Sequence, residues 1–367
     1  MTPEDLRADI PALDDVVYLN TGASGPSPTP VVEAATGCLA GHAYDAPGGE
    51  GMYPAAFDVY DRAREAVGDL LGVPQSTVAL THSTTDAINR VATALDWERG
   101  DTVVRTDLEH SAGILPWAHL RDTVGVEVDV VETERGRLDV ADVREAARGA
   151  KLVCLSAVTW THGTRLPVAE VVEAAHDAGA MVLVDAVQAP GQMPVDAAAW
   201  SADFLAGAGH KWLMGPWGAG FLHVHPDALA AVDPAHVGYR SVADPGADPP
   251  DFHPDARRFE VATASPAPYA GLVEAVETVQ DIGLETIERH VARLADRLKT
   301  GLGTERLVSP PDSASGLVSF AVEDPEATVE RLRDRDVVVR SLPTGAVRAS
   351  LHAFNTEADV DALLDGL

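Results

Sequence analysis

The chain has 367 residues with 57 acidic and 27 basic side chains, giving a formal charge of −30. That length suits one large domain plus a smaller one, no apolar run reaches the ~18 residues a bilayer span needs, and the charge excludes the clustered Lys and Arg through which proteins hold nucleic acid. Two cysteines, Cys38 and Cys154, can build neither a disulfide framework nor a thiolate metal cage.

The opening MTPEDLRADI is acidic and lacks the basic and apolar regions of an export signal, so a cytoplasmic protein is expected. Lysine is scarce: Lys151, Lys211 and Lys299 are the only three. Acid spread along the whole chain points to a salt-adapted surface, where screening removes self-repulsion. An ordinary acidic cytosolic protein is the alternative.

In chain order, short β-branched runs at 77–83, 101–106, 126–132, 151–158, 181–186, 202–208 and 218–225 predict strands. Amphipathic segments at 55–71, 84–95, 140–148 and 168–178 predict helices between them. Several strands are apolar at consecutive positions, as strands buried on both faces are. Such alternation predicts an α/β fold with a mostly parallel sheet. The proline-rich stretch 244–258 interrupts the pattern. Beyond it, helices at 268–281, 284–302 and 356–367 and strands at 315–322, 337–341 and 347–354 predict a small α+β block. The expected division is a large domain at 17–245 and a small one from 1–16 and 246–367.

Of the three lysines, Lys211 stands out, because it follows a buried strand within FLAGAGHKWLMGPWGAG, among glycines and tryptophans. A partly desolvated amine there has a lowered pKa and suits Schiff-base chemistry; a lysine snorkelling from a strand end is the ordinary alternative. Upstream, MVLVDAVQAPG ends an apolar strand in Asp185, with Gln188 three residues on. A carboxylate at that end of a central parallel strand faces the ligand crevice of α/β sheets, and could keep a pyridine nitrogen protonated. It could equally be a helix cap. Ser83 and Thr84 close one strand and open a helix, a ready phosphate site or a plain N-cap. His110 follows another strand and could stack on a cofactor ring or simply fill the core. His223 and His225 alternate on a strand without a third ligand, and read as structural.

These segments together resemble the class V aminotransferase superfamily of pyridoxal-phosphate enzymes, the fold-type-I group that includes cysteine desulfurases and isopenicillin-N-epimerase-like proteins. The motifs run in order through YLNTGASGP (18–26), THSTTDAIN (81–89), LEHSAGILPW (108–117), VLVDAVQAPG (182–191), GHKWLMGPWGAG (209–220), RRFEVAT (257–263) and VRASLHAFNTEADVDAL (347–363). The resemblance implies a fold-type-I architecture, with a seven-stranded, mostly parallel sheet holding pyridoxal 5'-phosphate and a small α+β domain. It implies that Lys211 is the Schiff-base lysine, Asp185 the partner of the pyridine nitrogen, Gln188 the partner of the phenolic oxygen, and His110 the ring-stacking histidine. Ser83, Thr84 and His210 match phosphate-binding positions, Thr263 matches one supplied across a homodimer interface, and Arg348 matches the arginine that grips the substrate α-carboxylate. An arginine is apt there, since guanidinium binds carboxylate bidentately. The expected partners are an amino-acid substrate and a second copy of the chain, with no nucleic acid, membrane or metal.

Departures from the family pattern matter. Family desulfurases carry a nucleophilic cysteine shortly before the final arginine strand, where VVVRSLPTGAVRAS has none. Trp160 stands where desulfurases place an asparagine, and Ala208 where they place a serine. Cys38 and Cys154 read as small core residues. Tyr53, Trp160 and His162 are candidates for the side-chain pocket.

The leading expectation is an aminotransferase-type reaction, with Lys211 as the base that removes the α-proton. The alternatives are a C–S or C–Se β-lyase of the cysteine desulfurase or selenocysteine lyase kind, or an amino-acid epimerase, all using the same residues. A non-catalytic cofactor- or partner-binding protein is the alternative from another class.

Overall fold

Seven of the apolar runs become one sheet in the computed structural model, which describes residues 1–367. The strands are β1 (Val78–Thr81), β2 (Thr102–Thr106), β3 (Glu127–Val131), β4 (Leu152–Ser156), β5 (Met181–Asp185), β6 (Phe204–Ala208) and β7 (Gly220–Val224). Their order across the sheet is β1-β7-β6-β5-β4-β2-β3. All neighbours run parallel except β7, which is antiparallel to both β1 and β6. Four strands with predicted site residues at or just beyond their C-terminal ends (β1, β2, β5 and β6) therefore finish along one edge.

Both faces are covered, which explains the unbroken apolar runs. Val153 and Leu155 of β4 enter one apolar cluster, while Leu152 and Cys154 enter the other. Helices α1 (Thr29–Tyr44), α2 (Met52–Leu71) and α6 (Val168–Asp177) lie on the first side. On the second, α3 (Thr84–Ala94) contributes Ile88 and Val91, and α4 (Leu115–Thr123) contributes Trp117. Helix α5 (Val140–Ala146) packs beside α6. The edge strand β3 keeps Glu127 and Asp129 on its exposed positions, charges that discourage pairing with a stray strand.

Helices α7 (Ala267–Ile282) and α8 (Leu284–Leu302) follow, then a three-stranded antiparallel sheet of β8 (Leu317–Ala321), β9 (Arg340–Ser341) and β10 (Ala346–Ser350), with β10 central. Helices α9 (Pro325–Arg333) and α10 (Glu357–Gly366) complete this block. A separate apolar cluster forms here from Leu294, Leu298, Phe320, Val347 and Leu363.

The apolar clusters are shared across residue 246. Helix α7 turns Leu272, Val276 and Val279 into the large cluster, packing on α1 and α2. In α8, Ile287 and Val291 belong to the large cluster, but Leu294 and Leu298 belong to the small one. An apolar stripe announces burial without saying which core receives it. The N-terminus is tied to the C-terminal block, since Val17–Tyr18 pairs parallel with Val337–Val338 and Arg7 bonds Asp359 at 2.8 Å.

Two expected strands depart most from the sequence pattern. The 337–341 run splits, its first half pairing with Val17–Tyr18 and its second with β10. The 347–354 strand stops at Ser350, and His352 leaves the sheet to stack between Trp212 and Phe354. No helix is long and apolar enough to cross a membrane.

Candidate active site

At the C-terminal edge of the sheet a cavity of about 200 Å³ collects Ser83, Thr84, His110, Asp185, Gln188, His210, Lys211 and Arg348. Eight of the nine predicted site residues thus meet, although they are up to 265 positions apart in the chain (348 − 83). Parallel strands bring such residues together because their C-terminal ends share one edge.

Lys211 sits on a tight loop after β6, closed by the amide of Gly215 donating to the carbonyl of Gly209 (2.8 Å) and that of Met214 to Lys211 (3.0 Å). Met214 adopts a left-handed φ of 60°, strained for a side chain of its size. Lys151 and Lys299 each have an aspartate nearby, but no carboxylate pairs with Lys211 within 4.0 Å. Burial pushes its pKa down to about 8; Asp185 pulls up against this, and Arg348 and Arg340 press further down.

Asp185 ends β5 with Oδ1 accepting from the amide of Val187 at 3.0 Å. Its other oxygen has no partner in the protein. Burial raises its pKa, and Lys211 opposes that. Gln188 is fixed in orientation: Trp212 Nε1 donates to its Oε1 (2.7 Å), while its Nε2 donates to the carbonyl of Gly22 (2.9 Å). One Nε2 hydrogen remains for a ligand. His110 accepts the amide of Ala112 at Nδ1 (3.3 Å), which leaves the proton on Nε2. Its pKa falls to about 4 through burial and the nearby cations, so the ring is neutral. His210 is held neutral in the same way, by burial and then Lys211.

Ser83 caps α3 through its Oγ, accepting from Asp86 at 3.1 Å, so the N-cap reading is correct as far as it goes. The first turn of α3 also borders the cavity, and the Thr84 hydroxyl is buried there without a partner. Gly220 permits this approach, since a Cβ on it would lie 2.7 Å from the Ser83 amide nitrogen.

Arg348, on β10, is 1% exposed. Its Nη1 donates to the carbonyl of Trp160 (2.9 Å), while Nε and Nη2 find no acceptor. Burial and then Arg340 push its pKa down, to about 9, leaving it cationic in neutral solution. The Ser350 hydroxyl beside it is also unpartnered. A Cβ on Gly22 would sit 2.6 Å from Leu317 Cδ2, 2.9 Å from Ser350 Oγ and 3.1 Å from Arg348 Nη2, so glycine there keeps the space beside the guanidinium open.

Thr263 is not brought into this cavity. It is exposed, its amide receives no cavity contact but donates to Tyr239 Oη (2.9 Å), and it borders two other surface hollows, one with Tyr60 and His82, the other with Met52 and Tyr53. Of the three side-chain-pocket candidates, Trp160 lines the cavity edge-on to His110 at 5.1 Å. Tyr53 instead lies beside Thr263, and His162 packs over Gly136.

Sequence reasoning missed three features. Arg340 lines the cavity opposite Arg348, a pairing that depends on the β9–β10 register. Glu109 is buried directly behind the site; its signal was a carboxylate between an apolar strand and His110 in LEHS. Trp212 joins the two blocks, its carbonyl accepting from His352 Nε2 (2.7 Å).

An unpartnered Asp185 oxygen, a free amine, an orphaned Thr84 hydroxyl at a helix N-terminus and a spare Gln188 hydrogen match an aromatic nitrogen, a carbonyl carbon, a phosphate and a phenolic oxygen, the functional groups of pyridoxal phosphate. The family model described as "Aminotransferase class-V" matches residues 17–363. The chain belongs to the class V aminotransferase family. As a class V enzyme it depends on pyridoxal phosphate, and its α/β fold is that of fold type I. A probable cysteine desulfurase of Methanothermobacter thermautotrophicus is 32% identical to this class V chain, over 99% of this chain and 96% of that protein. The cysteine desulfurase of Thermococcus onnurineus NA1 superposes with a TM-score of 0.91 at 32% identity, covering 100% of this chain and 97% of the other. The cystine C–S lyase C-DES, solved with its product cysteine persulfide, superposes at 0.91 with 28% identity, covering 97% and 98%. These class V relatives fall with the lyase alternative and not with the aminotransferase expectation.

Proposed function

We propose that this class V enzyme is a C–S lyase, which removes sulfur from the β-carbon of a cysteine- or cystine-type amino acid and releases it on a small molecule, not on a thiol of its own. The observation that carries this reading is where the two cysteines lie. Cys154 is fully buried in β4, with its thiol pKa pushed well up by burial, and Cys38 lies on α1; neither borders the cavity. The relative named as a cystine C–S lyase, with persulfide as its product, supports the same choice.

Bound pyridoxal phosphate supplies an electron sink for the charge left on the α-carbon. Asp185 would hold the ring-nitrogen proton, Gln188 the phenolic oxygen, and Ser83, Thr84 and His210 the phosphate, while neutral His110 would border the ring without adding charge. Arg348, beside the space that Gly22 leaves open, would orient the substrate carboxylate. Lys211, with its pKa near neutrality, takes the α-proton. For cystine, the Cβ–S bond breaks with its electron pair leaving on sulfur, as cysteine persulfide. The three-carbon remainder takes up water to give pyruvate and ammonia. Arg340 places a second guanidinium at the cavity, apt for the distal carboxylate of such a substrate.

The test is a Cys38→Ala/Cys154→Ala double variant assayed with cystine and with cysteine. Pyruvate release within about twofold of the wild type is expected, because neither thiol touches the reacting atoms. Alanine formation that disappears in the double variant would make the chain a desulfurase with its own sulfur carrier. A keto acid that retains its sulfur would restore the aminotransferase reading.

Two further readings accompany this one. We propose a homodimer in which Thr263 of each chain serves its partner; exposed Leu39, Tyr44, Tyr53 and Trp217 supply the apolar surface such a contact needs. The net charge of −30 also supports adaptation to concentrated salt. Thermal unfolding followed against KCl should then show a midpoint that climbs steeply, because screening relieves the mutual repulsion of the surface acids. A flat response would remove this inference.

A further inference from the structure

Glu109 has no part in the site as described so far, yet it is only 3% exposed and no cation pairs with it. Its Oε1 accepts from the Thr106 hydroxyl (2.7 Å) and the Ser156 amide (3.1 Å), and its Oε2 accepts from the Ser156 hydroxyl (2.7 Å). Ser156 is the register partner of Asp185 across β4 and β5. Asp185 therefore stands at the cavity wall, and Glu109 lies one strand further in, linked to it through Ser156.

Like charges in a buried place resist ionising together, so one of such a pair keeps its proton to an unusually high pH. Asp185 is the member that faces the ligand, with Lys211 beyond it; Glu109 faces Asp185 and the Cys154 thiol, with no compensating cation on its own side. Arg105 on β2 donates its Nη1 to the Thr106 carbonyl (2.8 Å) and makes no hydrogen bond or ion pair with Glu109; its charge acts on the Cys154 thiol. Neighbouring His110 is neutral. Burial, with Asp185 adding to it, raises Glu109 to about 7 against the pull of its hydrogen bonds.

The polar shell suits both protonation states. With Glu109 ionised, the Ser156 hydroxyl donates to Oε2. With Glu109 neutral, the acid proton sits on Oε2 and is donated to Ser156 Oγ, while Oε1 goes on accepting from Thr106 and the Ser156 amide. A carboxylate meant only to cap backbone would not need this reversible contact.

We propose that Glu109 is a positioning residue that sets how strongly Asp185 holds the proton on the cofactor's ring nitrogen, its carboxylate form adding negative charge behind Asp185 through the Ser156 contact. The protonated ring is then bound more tightly on the alkaline side. This rests on the cofactor alone, so it stands or falls independently of the substrate assigned above.

The test is the dissociation constant of pyridoxal phosphate, measured by equilibrium dialysis for the wild type and for Glu109→Gln. The amide is isosteric and can still accept at Oε1 and donate to Ser156. The ratio of the two constants cancels the cofactor's own ionisations and those of Lys211. It is expected to be near one at about pH 6 and about tenfold, the variant weaker, at about pH 8.5. Equal weakening at both pH values would mean a purely structural role, and no weakening at either would mean no coupling; each overturns the proposal. Should Glu109→Gln fail to fold, Ser156→Ala serves instead. Losing the donor to Oε2 disfavours the carboxylate, so the pH at which wild-type affinity rises should move upward, and an unmoved midpoint overturns the proposal.

Discussion

Replacing Lys211 with alanine should lower turnover of any amino-acid substrate by about 10³-fold or more, the loss typical of removing a positioned base that also serves as the cofactor's covalent anchor. The fold should survive, and thermal stability should not fall. The wild-type amine is buried without a carboxylate within pairing distance, so its loss removes a desolvated group and no salt bridge. Cofactor should still bind through Asp185, Gln188 and the first turn of α3, but its absorption should be that of the unlinked aldehyde. Arginine at 211 should not rescue, because a guanidinium stays protonated where an amine of pKa about 8 sheds its proton. In the wild type, the neutral amine becomes more abundant as pH rises through about 8, so kcat should climb on that limb. Unimpaired turnover in Lys211→Ala would end the assignment of this cavity as the active site.

Arg348→Lys should reduce kcat/KM by about 10²-fold, mostly through a raised KM, in steady-state assays with an α-amino acid. The guanidinium is already stripped of water, with Nε and Nη2 unsatisfied in the absence of an acceptor. Truncating one partner of a buried, hydrogen-bonded charge pair costs about 2–5 kcal/mol, and an ammonium cannot supply the parallel pair of donors. Arg348→Ala should be worse, since it also abandons the contact with the Trp160 carbonyl. A simple amine that lacks the carboxylate should be handled equally by wild type and variants. If the variants lose as much activity toward that amine, Arg348 acts through the fold and not through the substrate.

The sheet could be read from the chain because burial on both faces leaves uninterrupted apolar runs, and strands of a parallel sheet need no partner nearby in sequence to be recognised. The cavity residues at and just beyond the ends of β1, β5 and β6 could be read for a related reason: Ser83, Asp185 and Lys211 each follow or end an apolar run, and at Asp185 and Lys211 the fold itself needs no charge. Arg340 left no such trace, being one of several arginines on a charged stretch until β9 pairs with β10. Glu109 was hidden by its neighbour, because His110 accounts for a polar residue at that place. The helix at 268–281 is legible as a helix, but not which apolar cluster receives it, since its stripe fits α1 and α2 no less visibly than it would fit β8. His352 was expected on a strand face, and the reason it departs is an aromatic stack with Trp212 and Phe354 that pairs residues 140 positions apart (352 − 212).

That stack has a mechanical result. Trp212 is gripped on three sides: its indole nitrogen by Gln188, its carbonyl by His352 and its ring face by the His352 imidazole at 5.6 Å. The residue before it carries the amine, and His352 lies four residues beyond Arg348, the proposed holder of the substrate carboxylate. The anchor for one end of the substrate and the tool for its α-carbon therefore share a single stiff mount across two separate apolar cores. On that assignment the mount is expected to work as a gauge of length, suited to acids whose amine-bearing carbon is next to the carboxylate and one bond too short for a β-amino acid.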